Sequence, residues 1–247
     1  MWVKLSNLLQ AEWYKLRKTN IVPFLLIGPL LVLAIAWSAG LDMEGMEGSQ
    51  YIYTSMVVNL VYAIMFLPLM TGVLTAIICR YEHQAGGWKQ LFALPTSRGK
   101  VYVSKFIIII GLTLIIQLLY ALVLLYVGIL KDYGEPFPMV LVVKSVLGGW
   151  VAMLPLIALQ LWLSTMFKSF AAPFAVNVIF TIPTILVMNS AKIAPYYPWA
   201  QPFAMMYITE DKQDVFFVPW EQLLTVVGGS FVIFFAIGYT YLLRKEV

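Results

Sequence analysis

FIIIIGLTLIIQLLYALVLLYVGIL, residues 106–130, runs for twenty-five residues without one Asp, Glu, Lys, Arg or His. A helix rises 1.5 Å per residue, so about 20 residues cross a hydrocarbon core of roughly 30 Å. One charge at the centre of such a helix costs about 2.5 to 3.5 kcal/mol on insertion, so an uncharged run of this length reads as a membrane span. Five more uncharged runs have the same character: residues 21–40, 56–79, 145–167, 169–191 and 222–243. Together they define an all-α integral membrane protein of six transmembrane helices, organised as one domain over residues 1–247. Composition agrees, because 62% of residues are hydrophobic and 11% charged, against roughly 25% charged in soluble domains.

The gaps between the runs set the orientation. Twelve of the sixteen Lys and Arg fall in alternate gaps, at the N-terminus, in 80–105, at Lys168 and at the C-terminus. The opposite gaps hold only Lys131, Lys144, Lys192 and Lys212, with nine of the twelve acidic residues, including Asp42, Glu44, Glu47, Glu210, Asp211 and Asp214. The positive-inside rule then places both termini in the cytoplasm. Trp13, Trp37, Trp150 and Trp220 lie near the expected span ends, as interfacial aromatics do. No signal peptide is expected at the charged N-terminus. Cys79 is the only cysteine, so disulfides within the chain and Cys clusters are excluded and a buried apolar role is expected.

Three segments outside the spans carry pattern. KLSNLLQAEWYKLRKTN, residues 4–20, sets Leu5, Leu8, Leu9 and Leu16 near one helical face and Lys4, Lys15, Arg17 and Lys18 around the other. It predicts an amphipathic helix lying at the interface, with membrane lipid as a partner through anionic headgroups. In residues 79–106, Gly86 and Gly87 punctuate the exit from the second span. Trp88, Leu91, Phe92 and Leu94 follow as a short apolar run stopped by Pro95, a short amphipathic helix whose exposed apolar groups call for a docking partner or for cover by the chain itself. Residues 193–208, with Pro195, Pro198 and Pro202 among aromatics, are too short and too broken to span and predict a re-entrant or interfacial element before the sixth span.

Within the spans, Asn59, Gln117, Gln160, Asn177 and Asn189 are the polar candidates to line a route or to bond helix to helix. Pro68, Pro155, Pro173 and Pro183 are expected to kink helices, and Gly148, Gly149, Gly228, Gly229 and Gly238 to permit close approach. His83 has no metal-ligand spacing around it and reads as a solvated loop histidine, and no Gly-x-Ser-x-Gly with a partner base occurs, which sets an intramembrane enzyme aside. A scaffold or sensor accessory without transport shares this hydropathy. No nucleic-acid motif is present.

The order of these patterns resembles the ABC-2-type permeases, the membrane subunits of ATP-driven exporters. Glu12, Lys15, Leu16, Arg17 and Thr19 match the family's interfacial-helix pattern, and Glu82, Gly86, Leu91, Pro95, Ser97, Arg98 and Lys105 its loop between spans two and three, with Gly87 where Thr is common. The resemblance implies that this loop holds a coupling helix seated in a cleft of the ATPase, with Glu82, Gly86, Trp88, Leu91, Phe92, Pro95 and Arg98 as its coupling residues and Glu12, Lys15, Leu16 and Arg17 as those of the interfacial helix. It also implies two separate ATPase subunits carrying ATP and Mg, since this chain has no phosphate loop and binds no cofactor itself, and a second permease chain, identical or paralogous. Permeases of this size resemble those of lantibiotic and antimicrobial-peptide immunity systems of the bacterial cell membrane, implying an amphipathic peptide or drug as cargo.

Overall fold

The computed structural model describes residues 4–39, 49–84, 86–190, 192–207 and 219–246. Asp42, Glu44, Glu47, Glu210, Asp211 and Asp214 lie outside the described residues. The elements in order are α1 (Leu5–Lys18), α2 (Val22–Ala39), α3 (Gln50–Val61), a π turn (Tyr62–Phe66), α4 (Leu67–His83), α5 (Gly87–Ala93), α6 (Arg98–Leu130), α7 (Met139–Ala152), α8 (Leu154–Met166), α9 (Ala171–Thr181), α10 (Thr184–Met188), a 3-10 turn (Ala194–Tyr196), α11 (Gln201–Met206) and α12 (Trp220–Arg244). No strand occurs among the described residues.

Six helical units are long and apolar enough to cross a membrane: Val22–Ala39, Gln50–His83, Arg98–Leu130, Met139–Met166, Ala171–Met188 and Trp220–Arg244. They coincide with the six expected spans, but their ends do not. Spans read from charge stop where charges begin, whereas backbone hydrogen bonding ignores charge. The second and third units, 34 and 33 residues, are each about 50 Å long at 1.5 Å per residue. They overshoot a hydrocarbon core and carry Glu82, His83 and Lys105 on helix beyond it. Lys144, in the second turn of α7, and Glu221, in the first turn of α12, likewise lie on helix just outside the uncharged runs, so the runs mark the apolar centres of the helices and not their ends.

Proline explains the internal breaks. Pro68 has no N–H to give, and the ladder ahead of it widens into the π turn. Pro155 follows the interruption at Met153, and Pro183 the one at Ile182. Pro173 stands in the first turns of α9, where a proline breaks nothing, and Pro29 lies inside α2. Of the glycines expected at close approaches, Gly148, Gly149 and Gly238 are pressed by neighbours, but a Cβ at Gly228 or Gly229 meets nothing within 4 Å. Those two face open space.

The Pro-rich segment before the last span folds back into the protein. In α11 every residue is buried, and Gln201, Phe203 and Met205 are wholly inaccessible. It packs against α7. Neutral hydrogen bonds hold it and its surroundings, using four of the five amides read from the sequence. Asn59 donates to the Met206 carbonyl at 3.4 Å and accepts from the Tyr120 hydroxyl at 2.9 Å. Gln117 accepts from the Tyr62 hydroxyl at 3.3 Å and reaches the Met206 sulfur at 3.5 Å. Asn177 is the hub. It donates to the Pro68 carbonyl at 2.7 Å and accepts from Trp199 Nε1 at 2.7 Å and Gln160 Nε2 at 3.1 Å. Asn189, the fifth, is exposed at the end of α10, and its side chain donates locally to the Ile185 carbonyl at 2.9 Å.

Candidate functional site: the basic end of the bundle

Where α1, the C-terminus of α4, α5 and the start of α6 meet, four charges close a ring. Lys15 Nζ lies 2.9 Å from Glu12 Oε1 and 2.6 Å from Glu82 Oε1. Lys105 Nζ lies 2.9 Å from Glu12 Oε2 and 3.0 Å from Glu82 Oε2. Each carboxylate therefore touches both ammonium groups, and the ring is neutral. Lys105 directs hydrogen bonds to Glu12 Oε2 and, at 2.8 Å, to the Ile78 carbonyl, while its contact with Glu82 is an ion pair without hydrogen-bond alignment. The Lys105 side chain is fully buried and the two carboxylates nearly so, while Lys15 is 29% exposed. Taking ions out of water costs several kcal/mol each, and only full pairing compensates. The ring thus ties the N-terminal helix to the second and third spans through charges that cannot be left single.

Local geometry puts each member there. In α1, Leu8, Glu12 and Leu16 recur every four residues and are the helix's buried residues. Glu12 is therefore on the apolar face, not the polar one. Thr19, the C-cap residue, donates to the Lys15 carbonyl at 2.9 Å, and its hydroxyl lies 3.3 Å from that of Tyr81. Arg17 is exposed and outside the ring.

From Glu82 the chain turns sharply into α5. Gly86 sits at φ 72°, a left-handed conformation that favours glycine. A Cβ at Gly87 would stand 2.6 Å from the Tyr81 carbonyl oxygen and 2.8 Å from the Glu82 Cα. The departure from Thr at this position has a local cause: α5 starts on Gly87, directly against the last turn of α4. Helix α5 ends at Ala93, with Leu94 extended before Pro95.

The apolar side of α5 is covered by the chain itself. Trp88 is 5% exposed, Leu91 and Phe92 are partly buried against the core, and the Trp88 and Phe92 rings pack tilted at 41° with centroids 5.5 Å apart. Trp88 Nε1 donates to His83 Nδ1 at 3.2 Å, and His83 Nε2 to the Ser164 carbonyl at 2.7 Å. His83 is thus a clamp between α4, α5 and α8 with both ring nitrogens in use, not a solvated loop residue. Arg98 lies 4.6 Å over the Phe92 ring and donates to the Leu243 and Lys245 carbonyls at 2.9 and 2.8 Å. Lys245 in turn sits 4.6 Å over the Trp88 ring. Burial pushes the Lys245 ammonium below its ordinary range, and Lys168 nearby pushes it the same way. Of the two readings the sequence leaves open for the apolar run, cover by the chain itself is what surrounds Trp88. The outward side of α5 is Lys89, Gln90 and Ala93, continued just past the helix end by Leu94, 53% exposed. Beside it opens a cleft of about 480 Å3, walled by Gln90, Leu91 and Leu94 and by Lys15 and Glu82 of the ring.

Of the residues read from the sequence, the fold joins Glu12, Lys15 and Glu82 in the ring, with Leu16 buried beside it. It joins Trp88, Phe92 and Arg98 in the clamp, uses Gly86 and Pro95 to bound α5, and leaves Leu91 on the cleft wall. Lys105, His83 and Lys245 carry contacts that the site as read from sequence did not assign them. Among the described residues no group of three or more His, Cys, Asp and Glu is placed to hold a metal ion, and Cys79 is a buried free thiol.

No curated protein matches the chain. A profile of the family described as ABC-2 family transporter protein matches residues 8–184, which takes in α1 from Leu8, the ring, α5 and the whole of the first four spans. On that match and on its six membrane-crossing helices, the chain belongs to the ABC-2 family of transporter proteins and is a multi-pass membrane permease of an ABC transporter, a membership that implies association with an ABC ATPase subunit.

Proposed function

We propose that the chain is the permease of an exporter in which the basic end, α5 with the ring behind it, receives the stroke of a separate ATPase. The ring is the observation that carries this reading. A docking helix transmits force only if it is stiffly joined to the parts that must move, and here one neutral ion cluster joins the base of α5 to α1 and to the spans on both sides. Closure of the ATPases on ATP would shift α5, and the Glu82–Lys105 and Glu82–Lys15 pairs would pass that shift to α6 and α1. In this reading the termini are cytoplasmic, two ATPase subunits carry ATP and Mg, and two permease chains, identical or paralogous, form the pathway between them. The cargo is an amphipathic molecule, an antimicrobial peptide of lantibiotic type or a drug, drawn from the bacterial cell membrane. The neutral, hydrogen-bonded interior supports such a cargo over an ion, because no charge stands at the centre of a span to relay one.

The test is Leu94→Asp. Leu94 is half exposed and its replacement disturbs no buried contact, so insertion and folding should be unchanged while ATPase retention on purification falls at least tenfold. Full ATPase retention and normal export by this variant would remove α5 from the coupling role.

A further inference from the structure

A second cleft at the basic end lies on the other side of His83, between the last turns of α4 and α8 and the start of α9. Its volume is about 460 Å3. Arg80 and Lys168 stand at it, both exposed, and among the described residues neither meets a carboxylate. Every acidic side chain of the ring is committed elsewhere. The walls toward the membrane are apolar, with Ala76, Pro173 and Phe170, the last 46% exposed.

Ser164 lines the same cleft and is 2% exposed, yet its hydroxyl has no hydrogen-bond partner. Other helical hydroxyls here behave differently. Thr165 next to it donates to the Trp162 carbonyl at 2.7 Å, and Thr75, Ser104 and Ser230 return theirs to carbonyls three or four residues back. A buried hydroxyl without a partner costs about 1 to 3 kcal/mol, so this one calls for an acceptor from outside the chain. The start of α9, where Ser169 caps the Ala171 N–H at 3.2 Å, adds the positive end of a helix dipole.

We propose that this cleft binds the phosphate of an anionic phospholipid headgroup from the leaflet at the basic end, with Arg80 and Lys168 as counter-charges, the Ser164 hydroxyl as a donor, and the Phe170 and Pro173 side as the bed of the glycerol and upper acyl chains. Two cations without a carboxylate partner, an orphan donor in the same cleft and apolar lining beside them are the chemistry of an acidic headgroup, and the bilayer supplies that ligand at high local concentration. The inference is independent of the cargo and of the ATPase.

The purified full chain in detergent, titrated with phosphatidylglycerol or phosphatidylcholine and read by native mass spectrometry, tests it. One phosphatidylglycerol should be retained in preference to phosphatidylcholine. Arg80→Gln with Lys168→Gln should weaken it on the order of thirtyfold, at about 1 kcal/mol per basic residue. Lys4→Gln with Lys192→Gln, which removes the same charge elsewhere, should leave it unchanged. Ser164→Ala, which keeps both cations, should weaken it several-fold, and Arg80→Lys with Lys168→Arg should preserve it. Equal retention of the two lipids, equal loss in both charge-removing pairs, or no effect of Ser164→Ala would overturn the site. Displacement of the lipid by inorganic phosphate alone would overturn its assignment to a headgroup and leave a free-anion site.

Discussion

The two ends of this bundle both bury polar groups, and they do it by opposite means. The basic end holds Glu12, Lys15, Glu82 and Lys105 as full charges in one closed ring. The end built around α11 holds Asn59, Gln117, Gln160 and Asn177 as neutral amides bonded to tyrosines, a tryptophan and backbone carbonyls. The difference follows depth. Amides tolerate the low dielectric between spans because each lost bond costs little more than one group's desolvation. Charges survive only where two helices of about 50 Å overshoot the hydrocarbon and where each charge has an opposite beside it. The ionic end is thus all-or-none, and the neutral end degrades by degrees.

The sharpest way to break that contrast is Lys105→Met. It leaves two nearly buried carboxylates sharing only Lys15 and should cost about 3 to 5 kcal/mol, measured as a loss of midpoint in thermal or denaturant unfolding in mixed micelles. Adding Glu12→Gln restores neutrality and should recover more than 1 kcal/mol of that loss. Simple additivity of the two changes would show that the four groups are not one unit. Next is Asn177→Ala at the neutral hub. It strips the partner from Trp199 Nε1 and Gln160 Nε2, while the Pro68 carbonyl keeps the Thr71 hydroxyl at 2.7 Å, and should cost about 2 to 3 kcal/mol, read by the same unfolding curve. A larger loss here than at Lys105 would reverse the comparison.

A smaller effect is expected at the turn. Gly87→Ser drives a Cβ into the Tyr81 carbonyl, and relief by shifting α5 should cost about 1 to 2 kcal/mol, with faster proteolysis between α4 and α5. Smallest in stability is Leu94→Asp, within about 0.5 kcal/mol, because the side chain is exposed. Its effect should appear only in ATPase binding.

The contrast also separates what a sequence reader finds from what is lost. Six uncharged runs made the spans legible, since lipid enforces that signal at every residue. The aromatic, Pro-rich run 193–208 announced a non-spanning element for the same reason. Ends of spans were misplaced because charge marks the membrane and not the helix, so Lys105 read as loop when it is one turn or more inside α6. The ring itself joins residues 12 and 82, and nothing local encodes that pairing. One signal was present: Glu12 stands four residues from Leu8 and from Leu16, a carboxylate in the apolar stripe that demanded a buried cation. The covering of Trp88 was hidden for another reason. Its partners, His83 and Lys245, lie on either side of α5 in the chain, five and 157 residues away.

The coupling role of the basic end is tested most directly by purifying three forms of the chain from the native membrane in gentle detergent and identifying stoichiometric partners by mass spectrometry. The wild-type chain should bring a P-loop ATPase with it. Leu94→Asp should lose that subunit, and Ile193→Asp, an equally drastic change at an exposed residue of the opposite end, should keep it. An ATPase held equally by all three, or lost only with Ile193→Asp, would contradict the assignment of the ionic end as the one the ATPase drives.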